Sequence, residues 1–320
     1  MVKQPTVIST FAGCGGSSLG YKWAGFKELL AIDFEKNAVE TFRLNFPDVT
    51  MWQRDIATVT GREIFDFCKI KVGELDVLDG SPPCQGFSTA GKRNLNDSRN
   101  DLFKEFSRLI IELQPRVFVM ENVSGMMKGG YKGKFNEILL HLKSLGYNVK
   151  VKLMNAMWYE VPQSRERVFF IGVRNDLNIE PSFPEPLKTF ITFKEAVKGI
   201  INNELPPKLS KCFIPFVPLL KEGQCVSDVG GKGFQTARIY NNKVCPTITK
   251  IIGGIGFGTH IHPFENRVLS ISELKRVCSF PDDYALIGEY KEQKARLGNA
   301  VMPKMMYHIA KNIKDNILLR

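Results

Sequence analysis

Cys84, fixed between prolines and a Gln-Gly turn in GSPPCQGFS (residues 80–88), is a thiol placed just after an apolar run, where a strand should stop. Glu121 lies at the end of a second run, RVFVMEN, and VPQSRERV (161–168) brings Gln163, Arg165 and Arg167 just ahead of a third. In an open α/β sheet ligands gather beyond the carboxyl ends of the strands, so a thiol and a carboxylate far apart in sequence can face one pocket. One arginine is expected to turn toward that pocket and the other toward phosphates or a supporting carboxylate. Taken singly, each feature has an ordinary structural explanation: a cysteine beside proline can be a small buried hydrophobe, a Glu-Asn pair can cap a helix, and a basic pair is usually solvated. Together with a cofactor loop they fit one chemistry, addition of a thiolate to a ring carbon while a carboxylic group engages a ring nitrogen.

FAGCGG (11–16) supplies that loop directly after the first candidate strand, with Gly13, Gly15 and Gly16 able to turn tightly and approach a ligand closely. The next candidate strand ends in AIDFEK, which puts Asp33 where a nucleotide-binding fold receives ribose hydroxyls. Phe34 could cover an adenine face, and Asp55 in RDIATV could accept from the adenine amine. The loop departs from Gly-x-Gly-x-x-Gly, which favours another adenosyl cofactor over nicotinamide, and the missing Gly-Lys-Ser/Thr removes the main support for a kinase or ATPase.

The elements that must hold these residues are legible as alternating apolar runs and helical spacings. Candidate strands fall at 6–11, 29–33, 75–79, 117–121, 149–153 and 168–173; Leu102, Phe103, Phe106, Leu109, Ile110 and Leu113 recur at helical spacing, as do Phe135, Ile138, Leu139, Leu142 and Leu145. That alternation predicts a doubly wound, Rossmann-like α/β domain, its mostly parallel sheet covered by helices on both faces. Three prolines in RNDLNIEPSFPEPLK (174–188) break the pattern. The expected division is a larger, cofactor-binding domain over 1–184, a smaller irregular domain over 185–291, and a segment over 292–320 that returns to the first domain; the resemblance described below makes the first the catalytic domain and the second the target-recognition domain. Val301, Met302, Met305, Met306, Ile309, Ile313 and Ile317 give that segment an amphipathic helix.

Composition narrows the partners. Lys+Arg number 44 against 33 Asp+Glu, a net charge of +11, and residues 186–264 hold ten Lys/Arg against four acids, so a later segment should face a polyanion. No run of apolar residues is long enough for a membrane span, and the N-terminus lacks a secretory pattern; a cytoplasmic location is expected. The seven cysteines show no CxxC pairing, which argues against a disulfide framework or a four-cysteine zinc site, and His260, His262 and Cys245 are not expected to form a metal site.

The chain resembles the DNA (cytosine-5)-methyltransferases over nearly its full length. The matching elements, in family order, are FAGCGG, IDFEK (32–36), RDI (54–56), GSPPCQGFS, RNDLFKEFSRLI (99–110), MENV (120–123), VPQSRERV, HPFENRVLSISELKRVCSFPDDY (262–284) and GNAV (298–301). The resemblance implies S-adenosyl-L-methionine as cofactor, with S-adenosyl-L-homocysteine as product. It places Phe11, Gly13, Cys14, Gly15, Gly16, Asp33, Phe34, Asp55, Ile56, Pro83, Leu102, Asn299 and Val301 around that cofactor. Cys84 matches the nucleophile, Glu121 the group at the target ring, Arg167 the base-contacting arginine and Arg165 its companion. The chain departs from the family at Ser9–Thr10, where Asp-Leu is common, and at Ala300, where the family usually has serine. These departures bear on the cofactor pocket and leave the catalytic residues in place.

The same resemblance implies a target-recognition region at about 185–262 and double-stranded DNA as partner, with the target cytosine flipped out of the stack. Gln85, Ser88, Arg238, Thr247 and Thr249 are the DNA-contacting candidates, with turn formation a competing explanation for the threonines. A restriction-modification role, a separately acting cognate endonuclease and a monomeric, DNA-associated state are expected. Competing readings are a transfer RNA cytosine-5 methyltransferase, a catalytically idle DNA-binding protein and, more distantly, an NAD oxidoreductase.

Overall fold

The computed structural model describes residues 4–83, 102–127, 132–200, 206–209, 211–232, 236–250 and 260–319. The chain divides into two compact units: unit 1 takes Met1–Met154, Glu166–Glu185 and Met305–Arg320, and unit 2 takes Asn155–Arg165 and Pro186–Lys304.

Unit 1 is built on a seven-stranded sheet. Its strands are β1 (Thr6–Thr10), β2 (Lys27–Asp33), β3 (Met51–Gln53), β4 (Val77–Gly80), β5 (Val117–Val123), β6 (Tyr147–Asn155) and, after the two-residue β7 (Gln163–Ser164), β8 (Glu166–Arg174). They lie in the order β3-β2-β1-β4-β5-β8-β6. The first five run parallel and β8 runs antiparallel to β5. This is the predicted mostly parallel, Rossmann-like sheet, with β3 and the reversal of β8 as its additions.

Helices α1 (Gly16–Trp23), α2 (Lys36–Asn45), α3 (Gly61–Cys68), α4 (Leu102–Leu113) and α5 (Lys132–Ser144) connect these strands. α4 forms because its apolar residues share one face: Phe103, Phe106, Leu109, Ile110 and Leu113 are all buried, in one cluster with Ile8, Leu78 and Phe118 of the central strands. β4 is buried along its whole length, as a strand covered on both faces must be. The chain winds outward from β1 to β2 and β3 on one side, and from β4 to β5 on the other. The loops after β1 and β4 therefore leave the sheet side by side at its switch point, where ligands of such folds bind.

Unit 2 contains little regular structure. It holds α6 (Phe193–Ala196), the two-residue strands β9 (Ala237–Arg238), β10 (Cys245–Pro246) and β11 (His260–Ile261), then α7 (Ile271–Val277) and α8 (Tyr290–Asn299). Its separate core gathers Phe213, Val217, Leu220, Val226, Ile261 and Val268. The final helix, α9 (Pro303–Ile313), lies in unit 1 from Met305 onward, where Asn312 donates to the Ser182 carbonyl at 2.9 Å and Lys314 to the Ala24 carbonyl at 2.9 Å.

Candidate active site

The glycine loop is shaped by left-handed backbone at Phe11 (φ 52°), Gly13 (φ 57°) and Gly15 (φ 89°). Asp33 fixes it: one carboxylate oxygen accepts from the Gly13 N–H at 2.8 Å and the other from the Glu35 N–H at 2.9 Å. Phe34, the next residue, is 68% exposed although its ring is fully apolar. The Arg54 N–H donates to the Asp33 carbonyl at 3.0 Å, which brings the exposed Asp55 alongside, and Ile56 is buried behind it. A side chain added at Gly13 would meet nothing within 4 Å, so the loop borders open space. An open cradle, a carboxylate at its rim and an uncovered aromatic ring fit an adenosyl ligand. Phe11 and Leu102 pack at the edge of the core below, and Cys14 is buried within the loop.

The second half of the site sits at the ends of β4 and β5. Glu121 and Arg167 form an ion pair, Oε1 to Nε 2.8 Å, with both side chains mostly buried. Burial lowers the Arg167 guanidinium from its ordinary value, and the Glu121 carboxylate beside it pulls the other way. Arg167 also donates to the Glu166 carbonyl at 2.7 Å. Asn122, buried next to Glu121, donates to the Pro82 carbonyl at 3.2 Å and so ties the β5 end to the strand exit that runs through Pro83 toward Cys84. Cys84, Gln85 and Ser88 themselves lie outside the described residues.

In unit 2, Arg165 is 2% exposed, and its guanidinium donates to the carbonyls of Ile248 (2.9 Å), Gly298 (2.8 Å) and Ala300 (3.2 Å). Gln163, fully buried, accepts from the Ile248 N–H at 3.1 Å and donates to the Cys278 sulfur at 3.3 Å. Gly298 lies so close to this node that a Cβ on it would fall 2.5 Å from the Thr249 carbonyl carbon. Asn299 is exposed at the end of α8, and Val301 is buried two residues on. Thr247 donates to the Ser164 carbonyl at 2.6 Å, and Thr249 is half-buried.

Arg238 is inside unit 2 rather than on its surface. It is 5% exposed, and it donates to the carbonyls of Val217, Leu220, His262, Pro263 and Glu265 and to Asn266 Oδ1 at distances of 2.6–3.3 Å. The roles of Asn122, Gln163 and Gly298 were not foreseen from sequence. Each sits within a recognisable motif, but its partner is remote in the chain.

The fold is an α/β sheet whose strand order reverses between β1 and β4, the place beyond which folds of this class bind their ligands. The family model for C-5 cytosine-specific DNA methylases matches residues 5–315. The chain belongs to that family and is a DNA (cytosine-5-)-methyltransferase, and membership implies S-adenosylmethionine as cofactor. It is 33% identical over 329 residues to the type II methyltransferase M1.HphI of Haemophilus parahaemolyticus, covering 96% of this chain and 86% of that protein. It is 32% identical over 333 residues to the type II methyltransferase M.NgoFVII of Neisseria gonorrhoeae, covering 97% and 86%. Among solved structures, one described as a DNA modification methyltransferase encoded within an E. coli prophage matches with a TM-score of 0.82 at 27% identity, covering 98% of this chain and all of that one. The S. pombe Dnmt2 methyltransferase shares the fold at a TM-score of 0.69, 16% identity and 98% coverage of this chain. No helix among the described residues is long and apolar enough to cross a membrane.

Proposed function

We propose that this enzyme methylates C5 of a cytosine flipped out of a specific duplex DNA sequence, through a transient bond between Cys84 and ring carbon C6, as part of a restriction-modification system. The observation that carries the reading is the Glu121–Arg167 pair, set at a strand end whose next residue, Asn122, anchors the segment leading to Cys84.

C5 of cytosine is a weak nucleophile. Addition of the Cys84 thiolate forms the S–C6 bond and moves the C5–C6 π pair onto C5, while Glu121, carrying a proton taken up from water as the base enters, lends it to N3 and recovers it when the thiolate leaves, so that the ring does not hold the full negative charge. Arg167 keeps the Glu121 carboxylate aimed and contacts the same base. Residues 11–16, Asp33, Phe34, Asp55, Ile56, Pro83 and Leu102 would hold S-adenosylmethionine, which would supply a methyl group on a sulfonium and leave as S-adenosylhomocysteine. Release of the C5 proton to a base restores the C5–C6 double bond, the S–C6 bond breaks, and Cys84 returns as thiolate. The prolines around Cys84 reduce the motion needed to bring sulfur over C6. Arg165 acts as a positioning residue, holding the segment that carries Asn299 and Val301 against the stretch that carries Thr247 and Thr249.

Extruding the base costs on the order of a few kcal/mol, offset by contacts from Gln85, Ser88, Thr247, Thr249 and the basic residues of 185–262. The relatives named as type II methyltransferases support a partnership with a separately acting restriction endonuclease. Parallel transfer of radiolabelled methyl groups to duplex DNA and to transfer RNA tests the substrate. Label on the duplex is the expected result; label only on RNA would overturn it.

A further inference from the structure

Ser9 and Thr10, which stand where the family commonly has Asp-Leu, lie on β1 beside Asp79 of the neighbouring strand. Ser9 is opposite Asp79 in the parallel β1–β4 register, and Thr10 Oγ1 donates to the Asp79 carbonyl at 3.0 Å. All three residues are buried. The Asp79 carboxyl lies beneath α1, where it accepts from the Ser17 hydroxyl and from Tyr21 Oη at 3.4 Å. Beside it, Ser18 Oγ donates to Glu28 Oε1 at 2.9 Å.

Ser17 and Ser18 follow the glycine loop directly and form the first turn of α1. That turn carries no acid, and its cap residue, Gly15, offers no side-chain acceptor. The far end of the loop is therefore held from below, by carboxyl groups of β4 and β2, with none on β1. A carboxyl at position 9 in addition to Asp79 and Glu28 would crowd three acids into one desolvated space, so an acid on β4 suits a serine on β1.

We propose that Asp79 is the positioning acid of the glycine loop in this chain, taking from β4 the place of the carboxyl that the family commonly carries at position 9, and so setting the loop's fit to S-adenosylmethionine. The inference rests on the reading of residues 11–16 as the cofactor loop. Asp79 acts through Ser17 and Tyr21, so its loss should loosen cofactor binding and raise KM for S-adenosylmethionine more than it lowers kcat.

The test is calorimetric binding of S-adenosylhomocysteine to the wild type, D79S, D79N and the exchange S9D/D79S, with melting curves for each. D79S should bind about tenfold more weakly, the effect of losing a hydrogen bond to an acid. D79N, which keeps an acceptor oxygen for Ser17 and Tyr21, should bind within about twofold of wild type, and S9D/D79S should recover most of the loss. D79S binding as well as wild type, D79N binding as weakly as D79S, or a folded S9D/D79S without recovery would each overturn the proposal. Should D79S fail to fold, a folded and binding S9D/D79S supports it and an unfolded one overturns it. Failure of the wild type to bind would instead strike the reading of the loop itself.

Discussion

Glu121 and Arg167 meet diagonally on one face of the β5–β8 pair: Glu121 stands opposite Phe169 and Arg167 opposite Val123, and their charged atoms are 2.8 Å apart. The antiparallel direction of β8 is what creates this neighbourhood, because it brings the start of β8 back to the end of β5. Removing either partner leaves the other charge mostly buried and unpaired, which costs about 3 kcal/mol. E121A is therefore expected to lower kcat about a hundredfold or more and to lower the melting temperature, whereas E121Q should lose the activity and keep more of the stability. Steady-state kinetics and melting curves on the two variants check this.

Arg238 was a sequence candidate for DNA contact, yet its guanidinium bonds to six acceptors within unit 2. R238M should destabilise that unit by about 3 kcal/mol, because buried carbonyls lose their donor. The slope of log affinity for DNA against log salt should stay at the wild-type value, since no phosphate contact is removed. A slope reduced by about one would instead place Arg238 on the DNA backbone.

Arg165 and Gly298 make one node with Ile248 and Thr249. A lysine cannot hold three carbonyls with a planar fork, so R165K should raise KM for S-adenosylmethionine about tenfold while changing kcat less. G298A forces a Cβ into the Thr249 backbone and should cost about 1–3 kcal/mol in urea denaturation.

Acidity under the glycine loop has a defined sign. Burial pushes the Asp79 carboxyl from 3.8 up to about 8 and the Glu28 carboxyl from 4.5 up to about 7. The charged and titratable groups acting on Asp79 are Glu28, Glu121 and Tyr21. Between those limits the unfolded chain has released protons that the folded chain still binds, so this stability is full below about pH 4 and falls as pH rises toward 8. D79N should flatten the fall in melting temperature from about pH 5 to 8; a variant with the wild-type slope would contradict the assignment.

The parts legible from sequence were those marked by local contrast. Glycines 13, 15 and 16 interrupt an apolar run, and Asp33 and Glu121 each end one, so strand ends and their chemistry could be read together. The direction of β8 could not, because an apolar run reads the same whichever way the strand points. β3 is only three residues long and leaves no period to detect. Arg165 and Arg238 read as charges available to a ligand, and only the folded chain reveals the backbone carbonyls around them. Asp79 was read simply as the end of a strand; its meaning depends on Ser9, seventy residues earlier, lying opposite it.

The most direct measurement of the catalytic route is trapping on duplex DNA containing 5-fluorocytosine, in which the fluorine cannot leave as a proton would. With S-adenosylmethionine present, wild-type enzyme should form a denaturation-resistant adduct whose cross-linked peptide contains Cys84, and C84A should form none. An adduct formed equally well by C84A, or normal methylation of ordinary DNA by that variant, would contradict it.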